Sequence, residues 1–340
     1  MIRRVPRKSI FFIVLLVMLA LMAPLPYVLV EPGTPSDTFG KVKGKPVLDI
    51  VGRESYPTNG KLNLTSIWVT SPNSNLQSFE LIRAWIDGER SVQPRELFYP
   101  KGSDPKKVSQ ENIAQMKSSQ VNAQLAALEN LNIPYSINFV VAEFAKNSPN
   151  KGVIKKRDQI LSFNGEKVTS LNQFRKIIGN SKGEYGVLDV LREGKEISVN
   201  VKLRSLKDSN TPAIGIFVSE DYEFPFEVKV RLKDVGGPSA GLIFTLAIID
   251  KLTKEDLVKG RNIAGTGTIT PEGSVGPIGG IEEKLIGAAR EGATLFFAPA
   301  LNCPDIRRTP KGLRVVPVDN LTEALSALRE RDIERLPICG

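Results

Sequence analysis

The chain has 340 residues, with 46 Lys and Arg against 37 Asp and Glu and a formal net charge of +9. At about 150 residues per domain this is room for about two domains, and the 41% hydrophobic content is enough to bury a core. There are no histidines and only two cysteines, which excludes a Ser-His-Asp triad, a Cys-His pair and any zinc site built on histidine or on four thiolates. The basic residues are interspersed with acids, so no nucleic-acid partner is expected, and no metal or cofactor.

Arg3, Arg4, Arg7 and Lys8 precede an uncharged run from Ser9 to Val30. That run is long enough for a helix that crosses a bilayer. The basic cluster predicts a cytoplasmic N-terminus with the rest of the chain outside. Pro24 directly after Ala23, with no A-x-A pattern, favours a retained anchor over a cleaved signal peptide. Residues 1–31 therefore read as a basic tip and single-pass anchor in the cell membrane. Residues 32–46, rich in Pro, Gly and Lys, read as a linker. Asn59-Gly60 between alternating runs predicts a hairpin within 56–69. A helix over Leu76–Ile86 would bury Leu76, Phe79, Ile82 and Ile86. Asp104-Pro105 reads as the cap and first residue of a helix running to about Asn130, with Ile113, Met116, Val121 and Leu125 on its apolar face.

From Leu131 the pattern turns to strands. INFVVAEF is one, Asn164-Gly165 turns between two apolar runs, Leu171–Ile178 is a short helix, and two strands flank Glu193-Gly194. Ser148-Pro149, the run Arg157-Asp158-x-Ile160-Leu161-x-Phe163-Asn164-Gly165 and the closing strand pair resemble a PDZ domain of bacterial proteases, over about 121–205. The resemblance implies a β-rich domain that adds an extended peptide to a sheet edge. It places the capturing loop near Leu131–Ser136, with Leu131, Ile133, Tyr135 and Ile137 as peptide-binding residues. That loop has no glycine, and Pro134 removes one backbone donor. The resemblance therefore carries the fold further than capture of a peptide C-terminus.

The chemistry lies in the last third. Gly236, Gly237 and Pro238 turn in front of Ser239, and from Ala240 to Ile249 the chain is apolar almost all round, as in a buried helix. Backbone N–H groups at such a helix start suit a developing oxyanion. A Gly-Pro-Ser turn alone is also an ordinary helix cap. In a second segment Gly279-Gly280 end a strand and a helix begins near Ile281. A helical wheel sets Ile281, Leu285, Ala288 and Ala289 on the apolar face, Glu283 and Arg290 opposite, and Lys284 at the edge of the buried face. Burial and the positive helix end both disfavour an ammonium there. Such a lysine alone is also an ordinary solvated residue.

Lys284 follows Ser239 by 45 positions. Between them lie a strand, a Pro-Glu-Gly turn and a second strand. Gly237-Pro238-Ser239-Ala240-Gly241, Gly265-Thr266-Gly267 and Gly279-Gly280-Ile281-Glu282-Glu283-Lys284 resemble the proteolytic domain of the Lon protease family, over about 213–330. The resemblance implies a catalytic Ser239–Lys284 dyad, with Thr266 orienting the lysine and Gly237 and Pro238 shaping the turn. Gly236 and Thr268 stand where many Lon enzymes carry acids, and the nearest acid is Asp234. No G-x-x-x-x-G-K-[ST] phosphate loop is present. The implied protein is a membrane-bound, ATP-independent Lon-like serine endopeptidase acting on unfolded or PDZ-presented proteins, able to form a homo-oligomer. The alternative is a membrane-tethered PDZ adaptor with an inactive protease fold. Ser103-Asp104-Pro105-Lys106 and Ser148-Pro149-Asn150-Lys151 fit an S-x-x-K spacing, but neither opens an apolar helix. Cys303 and Cys339 are free to pair or to remain thiols.

The expected architecture is α+β. After the anchor and linker, 47–104 supplies first strands and a helix of the protease domain, 105–205 a connecting helix and a PDZ domain inserted into it, and 206–340 the Lon-type proteolytic domain.

Overall fold

In the computed structural model, which describes residues 7–23, 25–72, 74, 76–205, 211–232 and 235–339, helix α1 spans Arg7–Met22 and strand β1 spans Tyr27–Pro32. Arg3, Arg4, Pro24 and Asp234 lie outside the described residues. The uncharged run is therefore divided, which corrects both the anchor's extent and the linker's start. Val28, Leu29 and Val30 are buried, because β1 is the middle strand of a three-stranded antiparallel sheet. The β-branched residues of this segment suit a packed strand better than a continuing helix. Among the described residues no helix is long and apolar enough to cross a membrane. The expected linker is also structured: Ser36–Asp37 joins a sheet, Lys41–Val42 pairs with Lys45–Pro46, and Thr38 is buried.

Strand β2 (Lys61–Leu64) follows Gly60, whose φ of 101° suits glycine. The predicted hairpin at Asn59-Gly60 is absent, because β2 finds its partners far away: Ser36–Asp37 on one side and Asn262–Gly265 on the other. Strand β3 (Ile67–Val69), helix α2 (Ser78–Asp87) and strand β4 (Ser91–Pro94) come next; β3 and β4 flank β1. Helix α2 buries Leu81 and Ala84; of the predicted face, Leu76 ahead of the helix is buried as expected, whereas Phe79, Ile82 and Ile86 are exposed. Helix α3 (Pro105–Asn130) starts as expected, with the Asp104 side chain accepting from the Lys106 N–H. Met116 and Leu125 are buried on it, whereas Ile113 is exposed.

The chain divides into two compact units, Met1–Ile133 with Phe226–Gly340, and Pro134–Pro225. Helix α3 falls in the first unit rather than with the strands after it, since it packs against the later helix Gly241–Leu252 and the short strand Thr268–Ile269 of that unit. The second unit holds strands β5 (Ser136–Phe144) and β6 (Gln159–Phe163), helix α4 (Leu171–Gly179), and strands β7 (Tyr185–Arg192), β8 (Lys195–Lys202) and β9 (Ile216–Glu223). Its antiparallel sheet runs β8-β7-β6-β5-β9. Asn164-Gly165 and Glu193-Gly194 both make turns with positive φ. Phe163, Phe174, Leu188 and Val190 form part of the core.

The first unit resumes with helix α5 (Gly241–Leu252), strand β10 (Asn262–Gly265), helix α6 (Ile281–Arg290), strands β11 (Leu295–Pro299) and β12 (Arg314–Val318), and helix α7 (Leu321–Arg329). Strands β2, β10, β11 and β12 are parallel neighbours, and Ser36–Asp37 adds antiparallel at the β2 edge. Every residue of α5 from Gly241 to Asp250 is buried, as its all-round apolar sequence requires. Cys303 and Cys339 form a disulfide.

Candidate active site

Two parts of the first unit that are distant in sequence build the turn around Ser239. Gly237 has φ 84°, a conformation that favours glycine. Its N–H donates to Asn112 O at 2.9 Å, and Ser119 Oγ donates to Pro238 O at 2.9 Å. Asn112 and Ser119 both belong to α3 and lie two turns apart, so this helix holds the turn from one side. From the other side the Gly267 N–H donates to Ser239 O at 2.8 Å, and Thr266 Oγ1 donates to the same oxygen at 3.0 Å. Ser239 is left half-buried, two residues before α5 begins at Gly241. The Gly237 N–H is therefore already engaged, which removes it from the donors expected to face an oxyanion.

Lys284 comes from α6, which begins after Gly280 in a left-handed conformation with φ 69°. A Cβ on Gly280 would stand 2.8 Å from the Ile67 side chain; β3 lies that close to the helix start. Helix α6 packs against β1 on one side and β11 on the other. This two-sided cover buries Glu283, predicted to face solvent, and leaves Lys284 only 2% exposed. Lys284 Nζ lies 2.9 Å from Ser239 Oγ and 3.0 Å from Thr266 Oγ1. Burial lowers the Lys284 pKa from 10.5 to about 7, partly opposed by the neighbouring Glu283 carboxylate. The lysine is thus poised to exchange a proton near neutrality.

The hydroxyl geometry fixes the direction of that exchange. Thr266 has one hydroxyl proton, and it is directed to Ser239 O. Toward Lys284 the threonine oxygen therefore accepts. A neutral lysine amine that donates to Thr266 can turn its lone pair to the Ser239 hydroxyl. Such an arrangement can draw the proton from Ser239 Oγ without any histidine.

Residues 187–330 match the Lon protease (S16) C-terminal proteolytic domain. The segments carrying Ser239, Thr266 and Lys284 all fall within that match. Residues 114–203 match the PDZ domain. The Lon protease of Elusimicrobium minutum is 32% identical over 158 residues, which is 45% of this chain and 19% of that protein. The Lon protease of Buchnera aphidicola is 30% identical over 203 residues, 52% of this chain and 26% of that protein. Lon protease 2 of Herpetosiphon aurantiacus is 40% identical over 93 residues, 26% of this chain and 11% of that protein. The chain thus spans about a quarter or less of these curated relatives. Among solved structures, the PDZ domain of an SdrC-like protein from Listeria monocytogenes covers 24% of this chain and 85% of its own, at 23% identity and a TM-score of 0.22.

The structure brings Ser239, Thr266, Gly237, Pro238 and Lys284 together, and divides the four residues read as peptide-binding. Leu131 caps α3 and Ile133 follows it in the first unit, whereas Tyr135 and Ile137 lie in the second. Ile137 is on β5 and pairs with Tyr222 of β9, so β5 is not a sheet edge there. The outer strands of this sheet are β8 and β9, and β9 lies beyond the expected end of the domain at 205. The period-two placement of Ile216, Val218 and Tyr222 was the available signal. Asn302 was also missed. It is buried, accepts from the Ile278 N–H at 2.9 Å and donates to Ile278 O at 3.0 Å, so it holds the irregular segment that leads to Gly279-Gly280.

Proposed function

We propose that this chain is an ATP-independent serine endopeptidase at a cell membrane, with Ser239 as nucleophile and Lys284 as its general base. The observation that carries this reading is the 2.9 Å approach of Lys284 Nζ to Ser239 Oγ, with the lysine's pKa brought to about 7. Neutral Lys284 takes the Ser239 proton as Oγ attacks a peptide carbonyl, forming the C–O bond of a tetrahedral intermediate. In this reading the N–H groups of Ser239 and Ala240, which follow the turn, hold its oxyanion. The resulting ammonium gives its proton to the leaving amine as the C–N bond breaks. Water, deprotonated by the same lysine, then releases the acyl group and restores Ser239.

A cleft of about 790 Å³ opens at Ser239, lined among others by Thr65, Ile67, Val69, Phe98 and Gln115. Strand β3 contributes Ile67–Val69 and is the outer strand of its sheet, so an extended polypeptide can lie along it with main-chain hydrogen bonds. A groove of this kind suits unfolded or flexible protein substrates. The free edge of β9 offers a second place for an extended peptide. The sequence carries no phosphate loop to couple ATP to unfolding. Membrane attachment rests on α1, whose side chains from Ile10 to Met22 are all exposed although almost all are large and apolar. At ~1.5 Å per residue α1 spans about 24 Å, most of a bilayer core.

The test is incubation of the full chain in detergent with casein and no ATP, beside Ser239→Ala and Lys284→Ala. Cleavage by the wild type and by neither variant is expected. Undiminished cleavage by Ser239→Ala would overturn the assignment.

A further inference from the structure

Helix α2 carries two apolar faces. Its inner face, Leu81 and Ala84 with Leu76 ahead of it, is buried with Leu29 and meets Leu25 and Val92. Its outer face is Phe79, Ile82, Trp85 and Ile86, which are 47%, 48%, 79% and 74% exposed. At ~100° per residue these four cover an arc of about 120°; on one side a polar sector that holds Glu80, Arg83 and Asp87 separates it from the buried arc, and on the other Trp85 adjoins Leu81. The carboxylates of that sector are engaged locally. Glu80 accepts from the Gln77 N–H in a capping box, and Asp87 pairs with Arg90. An isolated exposed leucine needs no explanation, but four large apolar side chains on ten residues of helix do.

What lies beside this face identifies its occupant. Helix α2 is attached at its start to the end of α1: Ser78 Oγ donates to Ala23 O at 3.2 Å, and the Leu25 N–H donates to Leu76 O at 3.2 Å. The two helices touch. Wherever the end of α1 leaves a bilayer, α2 is held at the same depth. A helix rich in Trp, Phe and Ile on its outer face, with an arginine at its border, has the composition of an interfacial segment whose rings sit at headgroup level. We propose that the Phe79–Ile86 face of α2 lies in the outer surface of the bilayer, as a second membrane contact that fixes the height and tilt of the first unit above it. This rests on the membrane attachment of α1 given above.

Trp68 and Trp85 are the chain's two tryptophans, so Trp68→Phe leaves Trp85 as a single reporter. The full chain carrying Trp68→Phe is reconstituted into vesicles of equal parts phosphatidylcholine and phosphatidylglycerol, with or without lipids brominated near the headgroup, and vesicles are recovered by flotation. The expected result is co-flotation with blue-shifted Trp85 emission that the shallow bromines quench severalfold. An Ile82→Asn, Ile86→Asn pair added to the same chain should still float, through α1, with its emission red-shifted and the quenching lost. Co-flotation with Trp85 emission unquenched would overturn the proposal and leave the α1 anchor standing, whether the indole is in water or covered by a second copy of the chain. Absence of co-flotation would overturn the anchor and this contact with it.

Discussion

The buried lysine makes a prediction that is independent of any substrate. Its pKa of about 7 in the folded protein stands against 10.5 for an unburied lysine. The 3.5-unit difference is worth up to about 5 kcal/mol at ~1.36 kcal/mol per unit. Its sign is fixed by proton uptake. Between pH 7 and 10.5 the folded chain holds Lys284 neutral while the unfolded chain holds it charged, so unfolding takes up a proton and stability rises with pH. Below about pH 7 both states are charged and the whole burial cost is present. Lys284→Met keeps the volume and removes that cost, at the expense of about 1 kcal/mol for the hydrogen bond lost to Thr266. In a Ser239→Ala background, which prevents self-cleavage, Lys284→Met should therefore be the more stable protein at pH 6 by roughly 2–4 kcal/mol. The advantage should shrink by about 1.4 kcal/mol per pH unit from pH 7 upward. Urea unfolding followed by circular dichroism at pH 6, 7, 8 and 9 measures it. A difference between the two proteins that stays constant from pH 7 to 9 would refute a buried neutral lysine at this site.

The same pKa sets the rate profile. Lys284 must be neutral to accept a proton, so kcat/KM should rise about tenfold per unit below pH 7 and level off above it. Thr266→Val removes the acceptor that turns the lysine lone pair toward Ser239, and kcat should fall about 10- to 100-fold with KM nearly unchanged, while Thr266→Ser retains most activity. Asn302→Ala strips both polar groups of Ile278 of their partner, and should cost about 2–3 kcal/mol in a thermal or urea melt. Asp250 is buried, and burial raises its pKa from 3.8 to about 6 while its Oδ2 has no hydrogen-bond partner among the described residues. Its contribution to stability is complete below pH 3.8 and lost as pH rises through 6. Asp250→Asn keeps the acceptor for the Leu257 N–H and should therefore stabilise the fold at pH 8 by up to about 3 kcal/mol, with no gain at pH 3.5.

Local chemistry was legible wherever neighbours in sequence decide the outcome. Asp104-Pro105 capped a helix, Asn164-Gly165 and Glu193-Gly194 turned hairpins, and the all-round apolar run after Ala240 became a buried helix. The site was legible for another reason: Gly-Pro-Ser, Thr266 and the Gly-Gly-Ile-Glu-Glu-Lys segment are compact signals whose order resembled a known arrangement. What held Ser239 in place was not legible. Asn112 and Ser119 reach the turn from a helix more than a hundred residues earlier, and no local pattern marks a serine or a backbone carbonyl for that task.

The failures share one cause. Val28–Val30 read as part of the anchor, Lys61–Leu64 as a strand of a local hairpin and Ile216–Glu223 as part of the last domain, because their partners lie outside any local window: strands on both sides of β1, a parallel neighbour some 200 residues away for β2, and a returning edge for β9. Helix α2 failed in the opposite direction. Its periodicity was read correctly as amphipathic, but the stripe of Phe79, Ile82 and Ile86 faces outward and the narrower pair Leu81 and Ala84 faces the core. Periodicity reports that a helix has an apolar face and is silent about what covers it. Here the strongest apolar stripe and the buried stripe are different, and that mismatch makes the helix informative. A helix that needed only to fold would place its largest side chains inward. The exposed Trp85 and Ile86 therefore mark a second surface that burial within this chain does not explain.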